Sequence, residues 1–172
     1  MLKLLGAVLV ILTTSWIGFQ LAAELRLRTR QIQELRSSLA LLKTEIDYGT
    51  RPLAEAWERI AEVADSDLRR LFRRFGRNLR TMNGQSTYEC LRLAIDSEWQ
   101  KTAMGKDEKG ILLKLCQVLG SSNRSDQLHH LEIVAENLLM EEQKAREEQE
   151  KYEKMVKTLG ILSGALLVIL MY

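Results

Sequence analysis

The stretch ELRLRTRQIQELRSSLALLKTEI (residues 24–46) decides the fold. Leu21, Leu25, Ile32, Leu35, Leu39, Leu42 and Ile46 are spaced alternately by four and three, with Arg28 as the single exception. That spacing is a heptad-like seam, one narrow apolar face of a long helix that packs on something. There is no Pro or Gly from residue 24 until Gly49, where the helix is expected to end because Gly readily takes a positive φ.

Upstream, residues 4–23 (LLGAVLVILTTSWIGFQLAA) carry no formal charge. At ~1.5 Å per residue they reach across a hydrocarbon core of ~30 Å. A cleaved signal peptide is the rival reading, but the run is long for one and flows into helix without a loop. A retained anchor is therefore expected, continuous with the seam. Arg26, Arg28, Arg30 and Arg36 follow it, which by the positive-inside bias puts the following residues in the cytoplasm and the N-terminus outside.

The seam needs a partner. Downstream of residue 125 no helix breaker appears before Gly160. The first turns of this last helix are apolar, and later ones keep only Leu131, Leu138, Ala145, Tyr152 and Leu159, one residue in seven. Between them EEQKAREEQEKYEK (141–154) reads as a solvated face. A helix with so thin a seam is marginal alone. Pairing it with the first helix predicts an antiparallel two-helix stalk with seam residues Leu25, Ile32, Leu35, Leu39, Leu42, Ile46, Leu131, Leu138, Ala145 and Tyr152. The spacing leaves packing within one chain and packing between copies both open. Residues 158–172 are uncharged, about 22 Å as helix, short for a full span; Lys154 and Lys157 can snorkel beside them.

Four shorter helices are expected between these two. One starts near Pro52 and buries Leu53, Trp57, Ile60, Ala61 and Ala64. The next follows an Asp65-Ser66-Asp67 turn and cap cluster, with Leu68, Leu71, Phe72, Phe75, Leu79 and Met82 inward. Ser86-x-x-Glu89 is a capping box opening a helix through Ile95 and Trp99. The last carries Ile111, Leu112, Leu115, Cys116, Val118 and Leu119 and ends at the loop GSSNRS (120–125). With 172 residues, net charge +2, 46% hydrophobic and 28% charged residues and one Pro, the reading is an all-α helical bundle of about six helices. Its first and last long helices form an antiparallel stalk continuous with membrane segments. The domains are 1–23, an N-terminal transmembrane helix; 24–157, a cytoplasmic helical domain with the stalk; and 158–172, a short C-terminal transmembrane segment.

Chemistry-bearing motifs are missing. The sequence has no Gly-rich phosphate loop, HExxH, nucleophile elbow or metal-spaced Cys/His cluster. Cys90 and Cys116 read as small buried hydrophobes. His129 and His130 are adjacent and point about 100° apart on a helix, so they do not form one chelate. Trp57 and Trp99 lie in apolar stripes and belong to a core. No enzyme, cofactor or metal is expected.

The conspicuous surface feature is the polar face of the third helix: Arg69, Arg70, Arg73, Arg74, Arg77 and Arg80. It is the candidate interaction site, suited to an acidic protein surface or anionic lipid, with a merely solvated face as the plain alternative. Nucleic acid ranks below both, because no aromatic platform or helix-turn-helix accompanies the arginines. The alternative to an assembly subunit is a membrane-tethered regulatory domain that binds a small ligand or nucleic acid.

SSLALLKTEIDYGTRPLAEAWERIA (37–61), LGSSNRSDQLHHLEIVAENL (119–138) and the hydrophobic tail after a charged helix resemble the stage III sporulation protein AB family of endospore-forming bacteria, over the whole chain. More distantly, Gly49 followed by Leu53 and Ala56, with a weaker recurrence at Leu119-Gly120 before Leu128, is similar to the cytoplasmic domain of type II secretion F proteins. Those proteins usually carry two such domains and more membrane segments, and this chain has one. The resemblance implies a non-enzymatic platform subunit of a sporulation channel or secretion-like complex between mother cell and forespore, required for forespore development. It implies an integral protein of the mother-cell membrane facing the forespore, its soluble domain in the cytoplasm and both termini outside. Implied partners are the other subunits of that complex, including its secretion-type ATPase relative, and membrane lipid.

Overall fold

The computed structural model describes the backbone of residues 2–49 and 51–171, and the side chains of residues 16, 18–49, 51–65, 67–156, 158, 159 and 162. The described residues form six α-helices: α1 Leu2–Tyr48, α2 Leu53–Val63, α3 Ser66–Arg80, α4 Thr87–Glu98, α5 Lys106–Val118 and α6 Arg124–Met171. A single 3-10 turn, Trp99–Lys101, extends α4. Each helix packs on its neighbours in sequence, and α6 closes on α1 along the longest contact in the molecule. The result is an up-and-down ring in which short loops join antiparallel neighbours.

Local chemistry sets the helix ends. Gly49 sits at φ 62° and donates to the Glu45 carbonyl at 3.2 Å, which closes α1. Pro52 stands at the N-cap of α2, one position before the first turn where the sequence placed it, and its fixed φ suits either position. Asp65 is the N-cap of α3, but its side chain makes no cap bond; its carboxylate pairs with Arg30 on α1 instead. At α4 the capping box forms: Glu89 N–H donates to Ser86 Oγ at 3.2 Å and Ser86 N–H to Glu89 Oε2 at 2.8 Å. Asn123 Oδ1 caps α6 through Asp126 N–H at 2.9 Å, so α6 begins a residue or two earlier than its sequence pattern.

The core has two joined parts. In the ring, Trp57 stacks on Phe72 at 5.2 Å and meets Phe75 edge-on at 4.8 Å, and Leu71, Leu91, Ile95 and Leu115 are buried in the same core. Trp99 is also buried and donates Nε1–H to the Gly105 carbonyl at 3.1 Å. Along the long pair, Ile32, Leu35, Leu39 and Leu42 of α1 meet Leu131, Leu138 and Ala145 of α6, all buried. Each large side chain so buried contributes about 2 kcal/mol by removal of apolar area from water. Leu25 and Tyr152 are half-buried, and Ile46 packs on the edge of the core.

The long pair is antiparallel throughout. Arg124–Asp47, Lys43–Glu132, Arg36–Glu142 and Arg26–Glu153 succeed one another along it, and Gly18 lies beside Val156. The start of α1 and the end of α6 therefore share one end of the molecule. Trp16, Phe19, Leu159 and Leu162 are exposed there. Among the described residues no helix is long and apolar enough to cross a membrane. Most side chains of the hydrophobic stretches 4–23 and 158–172 lie outside the described residues, and with them Lys157.

Candidate functional site

Arg28, the residue that interrupts the apolar seam, is explained by what it meets. Its Nε donates to Glu108 Oε1 of α5 at 2.9 Å, its Nη2 lies 2.7 Å from the same oxygen, and its Nη1 donates to Glu148 Oε2 of α6 at 2.8 Å. Glu108 is wholly buried, and its Oε2 accepts the Gly105 N–H at 2.7 Å, capping its own helix. One guanidinium thus ties three helices together. Burial lowers the pKa of Arg28, but the hydrogen bond and charge of Glu108, backed by Glu148 and Glu141, hold it above its ordinary value. The group is permanently cationic and offers no proton for chemistry.

A second polar cluster joins α1 to the α2–α3 junction. Gln31 donates to Asp67 at 2.9 Å and accepts from Ala103 N–H at 2.7 Å. Glu34 accepts the Asp65 N–H. Gln31, Glu34, Asp65 and Asp67 line a shallow groove of about 280 Å³ with Arg30 and Leu27. Partial burial pushes the Glu34 carboxyl above its usual range, and the charge of Asp65 adds to that. The groove's polar atoms bond to each other across helices, which makes it a structural joint.

The acidic run of α6 differs from its sequence reading. Glu141 and Glu142 are buried rather than part of a solvated face. Glu142 accepts from Gln33 at 2.8 Å and pairs with Arg36, both on α1. Burial would raise its pKa, but these donors and the charges of Arg36 and Arg146 bring it below the usual carboxylate range. Glu147 and Glu150 are exposed.

On α3 all six arginines point outward and are exposed. Two are neutralised within the chain: Arg70 by Asp67 at 2.7 Å and Arg80 by Glu58 at 2.5 Å. Arg69 donates Nε–H to the Ala64 carbonyl at 2.9 Å and so closes the end of α2. Arg73, Arg74 and Arg77 make no ion pair among the described residues. Beside them runs α2, packed so closely that a Cβ on Gly76 would stand 2.5 Å from Glu58 Cγ and 3.0 Å from the Ala54 carbonyl. The exposed acids of α2, Glu55 and Glu62, likewise have no ion-pair partner among the described residues.

Among the described residues no group of three or more His, Cys, Asp or Glu is placed to hold a metal. His129 and His130 are exposed at the start of α6. Cys90 and Cys116 are buried free thiols, and burial pushes Cys116 up to about 12. Sequence reasoning missed Glu108, which sits in a KDEK run that looks like surface. The signal available was Arg28 itself, because a charge on an apolar seam needs a buried partner.

A family description, stage III sporulation protein AB, matches residues 3–172. A curated relative, stage III sporulation protein AB of Bacillus subtilis (strain 168), is 35% identical over 171 residues, covering 99% of both chains. A solved structure, stage III sporulation protein AB (SpoIIIAB), is 28% identical with a TM-score of 0.69, covering 73% of this chain and 98% of that one. The chain belongs to the stage III sporulation protein AB family.

Proposed function

We propose that this protein is a non-enzymatic, membrane-anchored assembly subunit of a sporulation channel or secretion-like complex at the boundary between mother cell and forespore. The observation that carries the reading is the antiparallel pairing of α1 and α6. It brings the beginning of one and the end of the other to the same end of the molecule, with Gly18 beside Val156. Both hydrophobic stretches continue from that end, and Trp16, Phe19, Leu159 and Leu162 are exposed around it. Such a hairpin inserts one end in a bilayer and holds the helical ring on the cytoplasmic side, where Arg26, Arg28 and Arg30 follow the first stretch. The ring then serves as a rigid docking body rather than a reaction vessel. Other subunits of the complex, a secretion-type ATPase relative among them, are the partners this reading assigns, and the type II secretion F resemblance supports a platform role.

The test is extraction and topology. The protein is expected to stay in the membrane pellet after alkaline carbonate. A cysteine placed at Gln100 is expected to be shielded from impermeant maleimide in intact cells while one placed at residue 2 is labelled. Release into the carbonate supernatant, or labelling at Gln100 in intact cells, would overturn the anchor and its orientation.

A further inference from the structure

We propose that Asn83 is a site of spontaneous deamidation, where the chain converts its own side-chain amide to an aspartyl or isoaspartyl residue. The chemistry has four requirements. The backbone nitrogen after the asparagine must be free to reach the side-chain carbonyl carbon. The residue that carries this nitrogen must have no side chain in the way. The amide must not be held by another group. Water must reach both. The four asparagines of the chain, Asn78, Asn83, Asn123 and Asn137, meet these requirements very differently.

Asn83 precedes Gly84 in the loop between α3 and α4, and every residue from Thr81 to Ser86 is exposed. Its side chain makes no hydrogen bond among the described residues. Gly84 sits at φ 77°, with nothing within 4 Å of the place a Cβ would take, so the approach to its nitrogen is open. One bond holds that nitrogen: Gly84 N–H donates to the Met82 carbonyl at 2.9 Å across a three-residue turn. Attack requires this bond to open, and an exposed turn with a single backbone bond opens at little cost in free energy.

The other three are protected by the fold. Asn78 lies within α3, half-buried, with its Nδ2 donating to the Cys90 carbonyl at 2.9 Å and buried Leu79 following it. Asn137 lies within α6 and is followed by buried Leu138. A helical N–H is bonded to the carbonyl four residues back, which keeps it from swinging onto the preceding side chain. Asn123 spends its Oδ1 on the Asp126 N–H at 2.9 Å, and Arg124, which opens α6, follows it.

The loop also lies away from the hydrophobic stretches. Asp67, at the start of α3, meets Gln31 of α1, and Gly76 packs against Ala54, just past the end of α1. The helix therefore runs away from the end that the hydrophobic stretches share, and its closing loop meets water whether or not those stretches enter a bilayer.

In the reaction the Gly84 nitrogen gives up its proton to solvent base and bonds to Asn83 Cγ. The Cγ–Nδ2 bond breaks, Nδ2 takes a proton and leaves as ammonia, and a cyclic succinimide remains. One water then opens the ring at either carbonyl. No oxidant, reductant or co-reactant besides water is needed. One product keeps the ordinary backbone. The other carries the backbone through the former side chain and lengthens it just before Ser86, the N-cap of α4. Either product places a new carboxylate beyond Arg80, at the end of the arginine face, and leaves the chain one charge unit more acidic than its native +2.

The test incubates the full-length protein in mild detergent at neutral to mildly alkaline pH. Peptide mass mapping reads the amide-to-acid mass gain at each asparagine, and an isoaspartyl methyltransferase reads the rearranged product. Conversion is expected at Asn83 well ahead of the other three, faster as pH rises, with a more acidic form appearing on isoelectric focusing. Its rate is expected to lie within severalfold of the rate at the same residue in denaturant. Asn83→Gln lengthens the side chain, disfavours ring closure and is expected to lose the acidic form. Equal conversion at Asn78, Asn123 or Asn137 would overturn the proposal, because folding would then not select the site. A native-state rate at Asn83 more than about tenfold below the rate in denaturant would overturn it too, since the turn would then guard its own amide.

Discussion

Arg28 and Glu108 lie 2.7 Å apart between α1 and α5, with the carboxylate wholly buried and the guanidinium shared with Glu148 of α6. Attraction in such a pair offsets a desolvation penalty of several kcal/mol per ion, so the intact pair is worth little against a well-packed apolar substitute. Breaking it on one side is different. Arg28→Met leaves Glu108 buried with only the Gly105 N–H, and is expected to destabilise the protein by about 3–5 kcal/mol. The double change Arg28→Met/Glu108→Leu is expected to lose much less. Chemical denaturation of the native protein, Arg28→Met, Glu108→Leu and the double variant gives the coupling; equal losses in Arg28→Met and the double variant would show that the ion pair is not the joint.

Glycines in two helices make opposite predictions from the same substitution. Gly76 stands where α3 crosses α2, and an added Cβ would meet the Ala54 carbonyl at 3.0 Å and Glu58 Cγ at 2.5 Å. The glutamate can swing away but the backbone carbonyl cannot. Gly76→Ala is therefore expected to push the helices apart at about 1–3 kcal/mol, against a gain of up to about 1 kcal/mol in helix propensity. Gly110 in α5 has nothing within 4 Å of an added Cβ. Gly110→Ala is expected to raise the melting temperature, by about 0.5–1 kcal/mol of stability. A rise for both would mean that the crossing has slack.

What was legible in the sequence was what is local. Gly49, the Ser86–Glu89 box and the spacing of Ile32, Leu35, Leu39 and Leu42 each act within a few residues, so the chain displays them directly. What was illegible depends on partners brought together by folding. Glu142 looks like its neighbours Glu147 and Glu150 until Gln33 and Arg36 arrive from the other long helix. The arginine face was visible as a pattern, but not which of its members are neutralised, because Glu58 lies on a different helix from Arg80.

Two carboxyls on the faces of α1 and α6 should respond to acid with opposite sign. Glu142 is held below its unfolded value, so its contribution to stability is complete above about pH 4–5 and is lost as pH falls through the lower folded value. Glu34 is raised, first by burial, so it favours the folded state when protonated and opposes it once ionised. Glu142→Gln is expected to destabilise at pH 7 and to flatten the fall in stability below pH 4. Glu34→Gln keeps an acceptor for the Asp65 N–H and is expected to stabilise at pH 7, with the gain vanishing at low pH. Melting curves from pH 3 to 7 check both. Parallel shifts for the two variants would contradict the assigned environments.

Cys116 provides a probe of the ring's integrity. It is fully buried between α5 and its neighbours, and exclusion of water raises its thiol to about 12, because the thiolate loses its hydration. Cys90 is raised too, by burial and then by the charge of Glu89. Neither sulfur is therefore expected to react with a disulfide reagent at pH 8 in the native protein, while both react at once in denaturant. In Arg28→Met, opening of the joint between α1, α5 and α6 is expected to let Cys116 react at least about tenfold faster than in the native protein, following the loss of stability. Cys116→Ser would bury a hydroxyl where a weakly polar thiol stood and is expected to lower stability by about 1–3 kcal/mol. Rapid labelling of Cys116 in the untouched protein would mean that the ring opens locally far below its global stability.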